Sequence, residues 1–461
     1  MFKFQQRTAV LISTACGSFL TPYMAASVNI ALPSIGRELG MDAVMLSWVS
    51  TAYLLSAAVF LLPFGRLADI YGRKKVFFWG IVISTASAFF SALSFSAPML
   101  LVFRVLNGAG ASMVFGTAIA ILISEFPPSK RGRVIGINVG ATYLGLSLGP
   151  VLGGFLTGYL GWRSVFYMNV PLGLAVIYAV LANVKTEWAG AREERFDLAG
   201  SLIYGVSLSV LIYGLSRLPS AFSGWLLIGA GAIGLLFFWH YESALSSPVF
   251  HVGLFRKNSV FIFSNIATLI NYSATFGVVF LLSLYLQYIK GFDPRRAGLV
   301  MVAQPLTMAV FSPLSGRLSD RFEARIVASA GMMITVVSLL SLTFVNELTS
   351  MGRIISSLII LGLGLALFSS PNTSAVMGSV EKRFYGIASA TMGTMRLLGQ
   401  MFSMGISMMV FSIQIGDVKI TQQYYPQFIS SISTTFWIFT ILCAGGVFAS
   451  LARGKLRAES E

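Results

Sequence analysis

The chain has 461 residues, of which 56% are hydrophobic and only 11% charged, less than half the charge of an ordinary soluble domain at about 25%. That balance excludes a soluble globular fold, and it excludes disorder, which needs the opposite composition. The net charge of +15 falls in short clusters between apolar runs and forms no aromatic-interleaved basic face, so a nucleic-acid partner is excluded and an all-α integral membrane protein is expected.

Apolar runs of about twenty residues are needed to cross the hydrocarbon. Fourteen are present, at 9–33, 47–67, 76–95, 98–123, 134–157, 164–184, 198–217, 224–241, 259–289, 297–316, 326–345, 353–377, 385–413 and 429–452. They are continuous, unlike the short alternating segments of a membrane β-barrel. The first follows Lys3 and Arg7 and carries small residues at Ala25, Ala26 and Ser27, as a signal peptide would. It is too long for a signal core and is read as a retained helix. An even count puts both termini on one side. Twenty-two Lys and Arg fall in the segments on that side, against eight on the other, with Arg104 and Arg396 inside runs. Both termini are therefore expected in the cytoplasm, in a multi-pass plasma-membrane protein.

An internal repeat divides the chain. Gly65-Arg-Leu-Ala-Asp69-Ile-Tyr-Gly72-Arg73-Lys-Lys75 returns in weakened form as Gly316-Arg-Leu-Ser-Asp320, 251 residues on. Gly136-Ile137 and Leu148-Gly149 return as Gly386-Ile387 and Leu398-Gly399 at an offset of 250. Two independent pairs at nearly one spacing point to duplicated halves. The runs at 198–217 and 224–241 have no partner in the repeat. The expected organisation is a six-helix bundle over 1–185, an inserted two-helix hairpin with its loops over 186–258, and a second six-helix bundle over 259–461. In transporters built from repeats, the substrate site lies near the midplane between the halves.

With these residues in view, the sequence resembles the major facilitator superfamily, and within it the fourteen-helix drug:proton antiporter group. The resemblance covers essentially the whole chain. It implies a secondary transporter, not an enzyme, that exports small amphipathic compounds by alternating access with proton antiport, as in multidrug efflux. The Gly65–Lys75 loop resembles the superfamily's cytoplasmic gate, which implies that Arg73 reaches Glu125 and that Asp69, Gly65, Gly72 and Asp320 belong to the gate. Gly145-Leu-Ser-Leu-Gly149-Pro150-Val-Leu-Gly153-Gly154 resembles the helix-5 signature of exporters, where glycines let two helices touch and the proline bends one of them. The same stretch contains the hydrolase pattern Gly-x-Ser-x-Gly, but no strand-turn-helix context or available histidine accompanies it. Arg104, with Asn107 behind it, resembles the helix-4 arginine tied to proton coupling, although it lies close enough to the outer interface to snorkel. Asn29, Tyr53, Gln287, Gln304 and Asn372 are polar positions in apolar runs, with cavity-lining and packing roles equally open. Arg396 is deeper in its run, and an intramembrane charge is a functional candidate by default.

One departure stands out. The antiporter group carries an aspartate in helix 1, and the corresponding position here is Met24, nine residues before Pro33. All 17 acidic residues fall in loops or at the ends of runs. Two arginines without matching acids favour an anionic or zwitterionic substrate. Cys16 and Cys443 lie in apolar runs, and His240 and His251 follow the inserted hairpin without metal spacing, so no metal or cofactor is expected. A pump would need a Gly-x4-Gly-Lys-Ser/Thr loop, and none occurs. The partners expected are a small amphipathic substrate, protons and membrane lipids, with the chain acting as a monomer. A lipid or anionic-amphiphile flippase or facilitator with weak or no proton coupling is the rival.

Overall fold

In the computed structural model, residues 2–190, 196–218, 222–245, 248–250, 258–380, 385–416 and 418–454 are described, with the backbone alone for 2–5, 128–132, 320, 385–386 and 390. Fourteen helical spans are long and apolar enough to cross a membrane among the described residues, so the chain is a multi-pass membrane protein. The first half contains α1 (Phe2–Leu39), α2 (Ala43–Tyr71), α3 (Arg73–Ala92), α4 (Ala97–Glu125), α5 (Pro128–Leu160), α6 (Arg163–Tyr167) and α7 (Asn169–Asn183). The hairpin is α8 (Leu198–Ser216) and α9 (Phe222–Ala244). The second half contains α10 (Ser259–Leu284), α11 (Pro294–Met301), α12 (Ala303–Arg321), α13 (Ala324–Thr343), α14 (Met351–Gly378), α15 (Tyr385–Gln414) and α16 (Tyr425–Ala452).

Two expected runs are interrupted. The sixth span breaks after Tyr167 and the tenth after Met301. Both breaks have one cause: Pro171 and Pro305 lack an N–H, so the carbonyl four residues earlier, on Tyr167 and Met301, loses its helical partner. The expected 9–33 run is longer than read, because the helix continues through polar flanks to Leu39.

The two sets of helices touch in a matching order. In the first half α1 packs on α5, α2 on α4 and α3 on α4; in the second α10 packs on α15, α12 on α14 and α13 on α14. These are the same three pairings, one half after the other. The halves meet along two seams that mirror each other, α2 against α15 and α5 against α11.

The hairpin breaks this symmetry. Helix α8 lies on the α2–α15 seam and touches both. The Tyr204 hydroxyl donates to the Ala58 carbonyl on α2 at 3.2 Å, while Ile212 and Leu215 reach Gly405 on α15. Helix α9 packs against α8 through glycine contacts, with Gly231 against Leu211 and Gly234 against Ser207, and its other faces are largely exposed. His240 lies inside α9, not in a loop beyond it, because the helix runs on to Ala244; His251 lies outside the described residues.

Candidate functional site

The end of the first half nearest the termini is tied together by the residues of the Gly65–Lys75 loop. Arg73 Nε donates to Asp69 Oδ1 at 2.8 Å, and Nη1 donates to Ser124 Oγ at 2.6 Å and to the Ala120 carbonyl at 3.2 Å. The expected reach of Arg73 to Glu125 is therefore not made in this conformation. Successive residues point about 100° apart on a helix, and Ser124 takes the guanidinium while Glu125 turns toward α1. There it meets Gln6 Nε2 at 3.3 Å and Arg7 Nε at 3.7 Å. The strand of chain after α7 closes the belt: Glu187 Oε1 accepts from the Lys74 N–H at 2.8 Å, and the Trp188 carbonyl from the Arg73 N–H at 2.8 Å.

Gly72 makes this possible. Its φ is +124°, a region open to glycine alone, and a Cβ there would sit 2.5 Å from Glu187 Cδ. Gly65 differs, since a Cβ there would meet nothing within 4 Å. Gly72→Ala should therefore lower the thermal unfolding midpoint of the purified protein, at about 1–3 kcal/mol of backbone strain, whereas Gly65→Ala should leave it unchanged. Asp320, the counterpart in the second half, has no described side chain.

Arg104 does not snorkel. It is 1% exposed and points sideways into α2, where Nε donates to the Val49 carbonyl at 2.9 Å and the guanidinium lies 4.4 Å from the Tyr53 ring centroid. Gly108 brings the helices that close, since a Cβ there would be 2.2 Å from the Tyr53 carbonyl. Asn107 accepts from Arg104 Nη1 at 3.4 Å and donates to the Ser84 carbonyl and Ser87 Oγ, each at 3.2 Å. Beside this group is a cavity of about 30 Å³ lined by Met24, Tyr53, Asn107, Asn169 and neighbours. It is large enough for one water molecule. Asn169 Nδ2 points at the Met24 sulfur at 3.6 Å. Met24 thus faces a polar pocket beside a buried arginine.

On the side away from the termini, the halves are sealed against each other. Pro33 leaves the Asn29 carbonyl without its helical donor, and Ser283 of α10 supplies one across the seam at 2.8 Å. Gln287 donates to the Ile30 carbonyl at 2.9 Å from a π-helical turn at Tyr285–Ile289. Asn29 Oδ1 accepts from Ser50 Oγ at 2.7 Å, so this side chain binds α1 to α2.

The α5 glycines divide between two neighbours. A Cβ on Gly145 would be 2.4 Å from the Phe19 carbonyl, on Gly149 2.5 Å from Ala26 Cβ, and on Gly153 2.7 Å from Ser27 Cα, all on α1. Gly154 faces the other half, 2.5 Å from the Pro294 carbonyl, and the Pro150 carbonyl lies 2.2 Å from the Cβ position of Gly298 on α11. Asp293 caps α11 there, accepting from the Arg296 N–H at 2.9 Å. That bond, followed by the neighbouring Arg295 guanidinium, holds its carboxyl below the usual carboxylate range despite some burial.

Further toward the termini, polar side chains from both halves stand between the helices. Tyr143 of α5 and Ser369 of α14 share a hydrogen bond of 3.2 Å between the halves. Arg396 of α15 lies 5.3 Å from the Tyr272 ring centroid on α10. Gln304 stands at the start of α12, its carbonyl against Gly362 of α14. Asn372 belongs elsewhere. It is 2% exposed, donates to Thr268 Oγ1 at 2.8 Å and accepts from Arg453 Nη1 at 2.9 Å inside the second half. Arg453, counted from sequence as a residue of the terminal tail, is fully buried and joins the ends of four helices through Ser450, Ser264, Asn372 and the Ala324 carbonyl.

A family model, described as the Major Facilitator Superfamily, matches residues 14–260 and 264–460. The chain belongs to the Major Facilitator Superfamily. Among its relatives, the multidrug resistance protein Stp of Mycobacterium tuberculosis is 34% identical over 84% of this chain and 73% of that protein. The riboflavin transporter RibZ of Clostridioides difficile is 26% identical over 97% of each. Among solved structures, an inward-facing, unoccupied bacterial homologue of the human lysosomal transporter Spinster shares the fold, superposing with a TM-score of 0.71 at 16% identity over 99% of each chain.

Tyr143, Tyr272, Ser283 and Arg453 were not singled out from sequence. Tyrosine and serine are ordinary in membrane helices, so only the placement of two helices face to face distinguishes these. Arg453 sits at the edge of an apolar run, where a positive-inside tail residue is the commoner outcome.

Proposed function

We propose that this superfamily member exports small amphipathic, drug-like compounds from the cytoplasm across the plasma membrane, by alternating access and in exchange for protons, with both termini cytoplasmic. The observation that carries the reading is the seam itself. It is closed by backbone-to-side-chain contacts on the side away from the termini and lined nearer the termini by half-buried polar groups from both halves, Tyr143 and Arg396 among them. These contacts support a site between the halves that is reached from one side at a time. The multidrug names of two relatives, the resistance protein Stp and the transporter MdtP of Bacillus subtilis, support export.

A facilitator or flippase without proton coupling is the second reading, favoured by Met24 in the pocket beside Arg104 and by acids that, among the described residues, keep to helix ends and loops. On the coupled reading, the proton is carried near the inner gate by Glu125 or Asp69. Proteoliposomes under an imposed pH gradient decide between them. Substrate-dependent change of an internal pH dye is the expected result. Substrate crossing with no proton movement would remove the exchange step and leave the facilitator.

A further inference from the structure

Arg104, Arg453 and Arg396 are held among the helices, and they are treated differently. Arg104 is enclosed in the first half by Val49, Tyr53 and Asn107, and Arg453 is enclosed in the second by Ser264, Asn372 and Ser450. Arg396 is only half-buried, and its Nε is shielded with no hydrogen-bond partner among the described residues. Its position follows from the packing. One turn on, a Cβ on Gly399 would be 2.5 Å from the Leu269 carbonyl and 2.8 Å from Tyr272 Cβ, so α15 lies against α10 and the guanidinium comes to rest over the Tyr272 ring. Tyr143 from the first half is within electrostatic reach of the same group and is hydrogen-bonded to Ser369. Arg396 is 11 residues into α15, about 16 Å along its axis. A guanidinium at that depth is costly unless it meets a partner, and π faces supply only part of one.

We infer that Arg396, Tyr272, Tyr143 and Ser369 form an anion-binding subsite between the halves, which takes the carboxylate of an amphipathic organic acid while the tyrosine rings cover its apolar body. This rests on the exporter reading and narrows its substrate class. The carboxylate supplies the counter-charge and hydrogen-bond acceptors that Arg396 lacks. Because Tyr143 and Ser369 come from opposite halves, the subsite is complete only when the seam is closed around it, as a site loaded from one side and released on the other requires.

The test is binding by the full-length protein in lipid nanodiscs, read by fluorescence anisotropy. Three probes share one apolar body: 4-(pyren-1-yl)butyrate, its neutral amide and the matching ammonium. The carboxylate should bind about tenfold or more tighter than the amide, as expected for a charge-assisted pair. Arg396→Gln should bring the carboxylate down to the amide's affinity without changing the amide. Arg396→Lys, which keeps the charge but not the fork, should retain part of the preference and covers the case in which Arg396→Gln does not fold. Equal binding of the three probes by the wild-type protein overturns the subsite, as does a preference that survives Arg396→Gln or is absent from a folded Arg396→Lys. Vesicle transport fails or succeeds separately: binding without flux would refute export and keep the subsite, whereas flux indifferent to probe charge would refute the subsite and keep export.

Discussion

Gly298→Ala should give a folded protein whose transport falls about tenfold or more, because the added methyl cannot coexist with the sealed seam. Its Cβ would lie 2.2 Å from the Pro150 carbonyl and 3.1 Å from the Pro150 carbonyl carbon, and both atoms are backbone, held by the rest of α5. Forcing a methyl into a packed contact costs about 1–3 kcal/mol, and about 1.4 kcal/mol shifts a two-state equilibrium tenfold. The strain is present only when the halves meet, so it acts on the conformational equilibrium rather than on the stability of either half. The measurement is a distance between two spin labels flanking the seam. The chain has only two cysteines, so Cys16→Ser and Cys443→Ser clear the background, and labels at Leu160→Cys and Leu348→Cys use positions 71% and 93% exposed. The distance distribution should shift to longer values in Gly298→Ala. Gly445→Ala, where a Cβ meets nothing within 4 Å, should change neither distance nor transport. An unchanged distance with lost transport would mean that Gly298 acts in some way other than closing the seam.

That experiment depends on contacts that the sequence indicates only in part. The fourteen spans, the repeat and the glycine signature of α5 are legible because each is a pattern along the chain: length against hydrocarbon thickness, recurrence at one offset, and glycines at helical spacing. What each glycine faces is not such a pattern. Gly153 and Gly154 are adjacent, yet one meets Ser27 in its own half and the other meets Pro294 in the opposite half, since consecutive helical residues diverge by about 100°. The same holds for Pro33. A proline inside an apolar helix announces an orphaned carbonyl, but not that Ser283, 254 residues away, is its donor. Arg73 and Glu125 show the converse error. Their charges are complementary and their helix ends close, yet Ser124 intervenes and Glu125 turns to Gln6 and Arg7. Asn372 also illustrates why polarity in an apolar run does not identify a cavity: its partner, Arg453, lies 81 residues away at the far end of α16.

Met24→Asp should add substrate-dependent proton movement to whatever transport the wild-type protein performs, raising it several-fold in vesicles. The pocket is already prepared for a carboxyl group. Met24 and aspartate carry the same number of side-chain heavy atoms, and Asn169 Nδ2 at 3.6 Å from the Met24 sulfur is a ready donor. Arg104, fully enclosed beside Tyr53 and Asn107, has no acid among the partners described. Two forces then oppose each other on the new carboxyl: burial favours its neutral form, and the nearby guanidinium favours the charged one. A carboxyl balanced between them binds and releases a proton when either force changes. Movement between the two access states would supply that change, because the cavity of about 30 Å³, lined by α1 and α4, would gain or lose water if those helices shifted. Met24→Asn isolates the charge, since it fills the same volume with a polar group that cannot titrate in this range. If the asparagine and aspartate variants move protons equally, position 24 does not share a proton site with Arg104. If only the aspartate variant does, then methionine at this position limits coupling in the natural protein, and the half-buried Arg396 is left to answer to the charge of the substrate.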